Sequence, residues 1–187
     1  MAQVETVRGT RIALPPAGGA ERHRTLEQRI YVHVPALYRL FTRLIVRLPP
    51  RARLRQLVLG RAVVQGYAAA NRRDFKVVLI GFDPELEYRP SPQLMAPDLD
   101  PIFYGYDGYM RLWQYWLDAF EDIRWEADEL LDFGDKLLVT ARQVGTGSGS
   151  GVAVGDSLFQ LYTLRRGLIY RFEDFEDRSE ALEAAAR

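Results

Sequence analysis

A chain of 187 residues, 48% hydrophobic and 12% aromatic, holds one core of ordinary size and is short for two domains. The absence of cysteine excludes disulfides, thiolate metal sites and cysteine nucleophiles, and no apolar run reaches the ~18 residues of a membrane-spanning helix. The net charge of zero hides a split, with 14 arginines against four acids in residues 1–75 and 11 basic against 21 acidic groups in the remainder. The basic half is also rich in core-type residues, so the split reads as one half packing on the other through arginine stems.

Residues 1–20, with Pro15, Pro16, Gly18 and Gly19, read as a flexible tail without a secretory core, which sets a cytoplasmic address as the expectation. From Arg24 to Leu48, Leu26, Ile30, Val34, Leu37, Phe41, Leu44 and Leu48 recur every three or four residues, and Tyr31, Tyr38 and Ile45 widen the stripe. That is an amphipathic helix whose apolar face should look inward, with a break near Val34–Pro35 because proline fits only a first turn. Pro49 and Pro50 end it, and a second helix runs from about Arg51 to Ala70. Asp74 is placed to cap a short third helix through Ile80.

After Gly81 the pattern changes. Glu85–Arg89 alternates as a strand, and Pro90, Pro92, Pro97 and Pro101 hold an irregular crossing. Gly105-Tyr-Asp-Gly108 opens a helix bearing Met110, Leu112, Trp113, Trp116, Leu117 and Phe120. Strands follow at Ile123–Phe133, Lys136–Val144, Val152–Leu164 and Leu168–Asp177, with tight turns at Gly134-Asp135 and Arg166-Gly167, and then a helix, Glu180–Ala186. Helices followed by an antiparallel meander define an α+β layout with helices on one face of a curved sheet.

Several chemical signals read as ordinary structure. The run Gly145–Gly151 lacks a phosphate-loop lysine and is followed by a strand rather than a helix, so it reads as a hairpin tip. His23 and His33 are the only histidines, and Asp98 and Asp100 sit between prolines, so neither a metal nor any other cofactor is expected. Arg39, Arg43 and Arg47 form a row that would suit phosphates or lipid headgroups, but packing explains the neighbouring aromatics. Neither nucleic acid nor a membrane surface is therefore the expected partner.

The informative constellation is aromatic with a few polar groups. Tyr67, Trp113 and Trp116 on helices, with Tyr88, Gln160, Tyr162, Phe172 and Asp174 on strands, can line a cavity between helix and sheet. Strand alternation puts Gln160 and Tyr162 on one face, and Tyr170, Phe172 and Asp174 on one face of the next strand. Burial would raise the pKa of Asp174 and make it an acid or base near neutral pH, with Gln160 and Tyr88 orienting a polar oxygen.

These residues resemble a known family. The run Tyr67–Phe75, then Phe82–Tyr88, Gly105–Gly108 before a tryptophan-rich helix ending Ala119-Phe120, Tyr162–Ile169 and Asp177–Leu182 are similar, in this order, to the SnoaL-like branch of the nuclear transport factor 2-like superfamily. The resemblance covers about residues 62–183, leaving residues 21–61 as an added helical hairpin or cap. It implies a cone-shaped curved antiparallel sheet with three helices, a pocket in the cone and, usually, a homodimer.

Aligning on Asn71 and Asp74 puts Gly66, Pro90 and Gln160 near the three places where ketosteroid isomerases carry a tyrosine and two aspartates, so that chemistry is not expected. SnoaL-type cyclases use a histidine–aspartate pair; no histidine lies beyond residue 33, and only Asp174 stands in for the acid. The aspartate–arginine–aspartate relay of limonene-type epoxide hydrolases has no clear match, although Arg171 and Glu173 share a strand with Asp174. The expectation is a cone that binds a small apolar, oxygenated molecule, with proton transfer or hydrolysis as the chemistry Asp174 would supply. The competing reading is a non-catalytic dimeric interaction module with an arginine-rich helical surface.

Overall fold

Val34 and Pro35 split the first helical stretch in two. Helix α1 (Leu26–His33) starts from a capping box in which Thr25 and Gln28 satisfy each other's backbone N–H, and Pro35 occupies the first turn of α2 (Pro35–Ile45). The computed structural model describes residues 9–92, 95, 99–120, 122–146 and 153–187. Within them α3 (Arg53–Asn71) and α4 (Phe75–Ile80) follow, then β2 (Phe82–Arg89), β3 (Phe103–Tyr104), α5 (Gly105–Ala119), β4 (Arg124–Asp132), β5 (Lys136–Thr146), β6 (Ala153–Arg165), β7 (Leu168–Phe175) and α6 (Arg178–Ala186).

Ahead of α1, part of the expected tail is structured. Thr10–Ile12 form β1, which pairs antiparallel with β4, and Ile12 is buried. The following backbone crosses α3 so closely that a Cβ on Gly60 would stand 2.8 Å from the Ala13 carbonyl. Asp74 stands at the N-cap of α4 without capping it; its carboxylate instead accepts from Arg24 Nε and Nη2, each at 2.6 Å, tying α4 to the segment before α1.

The sheet runs β1-β4-β5-β6-β7-β2-β3 and is open and curved. Its pairings are antiparallel, as expected, except that β2 runs parallel to β7. Alternation fixes which face a strand buries but leaves the direction of its neighbour open. Bulges between Ala127 and Glu129, between Thr163 and Leu164, and between Phe82 and Glu87 bend the sheet. Helix α5 lies on the concave side with Tyr109, Leu112, Trp113 and Trp116 buried, and α6 covers Leu138 and Leu161 on the other side with Ala181, Ala184 and Ala185.

The α1–α2 stripe does not face the way its periodicity suggests. Leu26, Ile30, Val34, Leu37, Leu40 and Leu44 are exposed, whereas Thr42 and Ile45 are buried and Tyr31, Tyr38 and Phe41 are half-buried. The aromatic side of the pair turns inward because rings bury more surface per residue than leucines. Arg55 secures this arrangement from α3: it is buried, pairs with Asp132 at 2.6 and 2.8 Å, and donates to the carbonyls of Val46, Leu48 and Gly134.

Candidate functional site

Register places the polar groups in two rows. Across β6, β7 and β2, Tyr162 faces Phe172 and Phe172 faces Tyr88, while Gln160 faces Asp174 one step further along. The Tyr88 and Phe172 rings stack at 4.0 Å and nearly parallel, and Tyr162 leans on Phe172 at 4.6 Å. The Tyr88 hydroxyl reaches past the Phe172 it faces to Asp174, two residues further along β7.

Tyr67 arrives from α3. One turn later on the same helix face, Asn71 donates to the Trp125 carbonyl and accepts from the Trp125 N–H, both at 2.9 Å, which pins α3 to β4. Trp113 and Tyr109 arrive from α5, where Trp113 meets Phe75 at 5.0 Å and Trp125 at 4.7 Å. The Arg73 guanidinium lies over the Trp113 ring at 5.3 Å.

The hydrogen bonds converge on one carboxylate. Tyr88 donates to Asp174 Oδ2 at 2.6 Å, and Gln160 Nε2 donates to Oδ1 at 3.0 Å. Gln160 Oε1 accepts from the Tyr67 hydroxyl and from the Tyr162 hydroxyl at 3.0 Å, which orients its amide; the two hydroxyls are 3.1 Å apart. Since Tyr67 alone satisfies Gln160 Oε1, the Tyr162 proton is the one that can be redirected to another oxygen without leaving a buried acceptor bare. Burial pushes Asp174 up to about 6, against the opposing hydrogen bonds from Tyr88 and Gln160. Burial likewise drives Tyr67, Tyr88 and Tyr162 above the usual phenol range, so all three keep their protons at neutral pH.

All eight residues singled out from the sequence border one cavity of about 220 Å³. Gln160 and Tyr88 hold Asp174 directly. Tyr170 stands apart: it is the extra residue of the β6–β7 bulge and stacks against Arg165 and Arg171 on the outer side. The same cavity is bordered by Gln28, Tyr31, Tyr38, Phe41 and Thr42 of α1 and α2, which sequence reasoning had assigned to packing or passed over. Their signal was the aromatic edge of the apolar stripe, Tyr31, Tyr38 and Phe41 beside the leucines. Loss of water around the hydroxyl of the half-buried Tyr38 pushes its phenol up to about 12. Among the described residues no group of three acids or histidines could hold a metal ion; Asp98 and the glycine run beyond Thr146 lie outside those residues.

A family model for the SnoaL-like domain matches residues 63–172. The chain belongs to the SnoaL-like family. The match begins within α3 and ends at Phe172, so residues 21–61, with α1 and α2, lie outside it. Among solved structures, this SnoaL-like chain is similar to a nuclear transport factor 2-like protein of unknown function from Burkholderia pseudomallei, at 20% identity and a TM-score of 0.57, over 68% of this chain and 96% of the other. It is also similar to TerC, co-crystallized with polyporic acid, at 22% identity and a TM-score of 0.56, over 65% of this chain and 95% of that one. A third is IdmH, a putative polyketide cyclase from Streptomyces antibioticus, at 17% identity and a TM-score of 0.53, covering 66% and 94%. At these identities the likeness concerns the fold. No curated protein matches the sequence.

Proposed function

We propose that this SnoaL-like protein binds a small apolar, oxygenated molecule in the cone and moves a proton on it with Asp174. The observation that carries the reading is a carboxylate at the wall of an apolar cavity, fixed by Tyr88 and Gln160 and shifted by burial to about 6. A group with that pKa changes protonation close to neutral pH, where a general base or acid is most effective. The cavity exceeds the roughly 150 Å³ that admits a benzene ring, so it has room for an aromatic ring with substituents. The Trp113 and Trp116 faces hold the apolar body, Tyr162 turns its hydroxyl to an oxygen of the ligand, and Asp174 takes or returns the proton. The co-crystallized polyporic acid of TerC and the cyclase description of IdmH favour an aromatic or quinonoid oxygenated compound as the class to try first.

The test is a thermal-shift screen of the intact chain against polyporic acid, aromatic polyketides, steroids, terpenes and fatty acids, because a ligand specific to the native state raises the melting temperature. A hit should retain most of its affinity in Asp174→Asn while any turnover disappears. A screen without a shift, or turnover unchanged in Asp174→Asn, overturns the reading.

A further inference from the structure

The outward face of α1 and α2 is unpartnered and apolar. Leu26 is 75% exposed, Leu40 58% and Leu44 53%, and Ile30, Val34 and Leu37 are each more than two-fifths exposed. Among the described residues no helix is long and apolar enough to cross a membrane, so these side chains do not belong to a spanning segment.

Among the described residues the unpaired charges on α1 and α2 are of one sign. Arg29, Arg39, Arg43 and Arg47 are exposed along the same two helices and their C-terminal end, and none forms an ion pair among the described residues; Arg39 lies near the Tyr106 hydroxyl. The acids in residues 21–61 are Glu21 and Glu27, and Glu27 is paired with Arg61 at 3.0 Å. A second copy docking through a two-fold axis would set this arginine row against itself. A nucleic acid would satisfy the arginines but would leave the leucines against phosphate and water. An anionic bilayer satisfies both: leucines enter the headgroup–acyl boundary while arginine stems lie along it and their guanidinium groups meet lipid phosphates.

We infer that α1 and α2 form a membrane-surface dock for anionic lipid bilayers, with Ile30, Val34, Leu37, Leu40 and Leu44 inserting and Arg29, Arg43 and Arg47 contacting headgroups. The inference stands on this face alone and holds whatever the cone binds. It also gives the extension outside the family match a role. The inward side of the same helices carries Tyr31, Tyr38 and Phe41 at the cavity, so docking sets the cavity wall beside the bilayer.

The experiment is co-sedimentation of the full chain with vesicles of phosphatidylcholine alone and of equal parts phosphatidylglycerol and phosphatidylcholine, at low and high salt. Binding is expected to the anionic vesicles and to weaken with salt. The triple variant Leu37→Ser/Leu40→Ser/Leu44→Ser should lose at least about tenfold in partitioning, since binding scales with the apolar area inserted. Because those leucines are exposed, circular dichroism and melting temperature should be unchanged. Arg43→Glu/Arg47→Glu should lose the preference for anionic vesicles. Sedimentation equilibrium and DNA retention are measured alongside. The inference is overturned by absent vesicle binding, by equal binding of the leucine variant, by a wild-type dimer that the leucine variant dissolves, or by DNA binding that outcompetes vesicles.

Discussion

Tyr88 and Asp174 sit on parallel neighbouring strands, two positions out of step, and the phenol closes that offset by donating to Oδ2 at 2.6 Å. The bond opposes the effect of burial, because it stabilises the ionised carboxylate. Tyr88→Phe removes the donor and leaves the cavity wall apolar. The Asp174 titration midpoint, read by carboxyl-carbon NMR, should therefore move upward from about 6. A midpoint that stays or falls would show that the phenol does not set the charge state of the acid.

Stability should carry the signature of the same acid. Asp174 holds its proton more tightly folded than unfolded, so its stabilising contribution is complete below 3.8 and is lost as pH rises through about 6. Asp74, held low chiefly by Arg24, and Asp83, held low against burial by Arg165 and a backbone N–H, act in the opposite sense: their stability is present above the ordinary carboxylate pKa and lost on acidification. Comparing wild type with Asp174→Asn cancels those terms. Between pH 4 and 7 the variant should gain roughly 2 kcal/mol relative to wild type in urea unfolding. Parallel stability curves for the two proteins would refute the shifted acid.

The order of elements was readable because each boundary has a local cause: Pro35 restarts a helix, Arg166-Gly167 supplies two positive φ values for a tight hairpin, and Asp177 caps α6 through Ser179 and Glu180 N–H. Strand alternation alone puts Gln160 with Tyr162, and Phe172 with Asp174, on one face of their strands. The rest depended on tertiary choices. The bulge that turns Tyr170 outward, the parallel direction of β2 and the inward turn of the aromatic side of α1–α2 each leave the local pattern unchanged. Periodicity reports that a helix has an apolar side, not which neighbour claims it.

The β6–β7 hairpin is where α2 meets the cone. Gly167 has φ +85°, and a Cβ there would stand 2.6 Å from Arg43 N and 2.7 Å from Thr42 C, both backbone atoms of α2. Gly134 has φ +100° with open space around it. Gly134→Ala should therefore cost only the left-handed backbone penalty, about 1–2 kcal/mol. Gly167→Ala should add roughly 1–3 kcal/mol for displacing α2. Equal losses by urea denaturation would mean that α2 is not seated on the hairpin.

Arg55 and Asp132 make the complementary case, a contact whose value depends on both partners being present. Their side chains are 1% and 0% exposed, and Gly134 N–H also donates to Asp132 Oδ1 at 2.9 Å. Arg55→Met strands a buried carboxylate and frees the Val46 and Leu48 carbonyls, so it should cost about 3–5 kcal/mol. Adding Asp132→Leu removes the stranded charge, and the double variant should be more stable than the single one although it lacks more polar contacts. Denaturant titration of both proteins measures the coupling directly. A double variant less stable than Arg55→Met would show that Asp132 stabilises the β4–β5 turn chiefly through its bond to Gly134, with the arginine pair secondary.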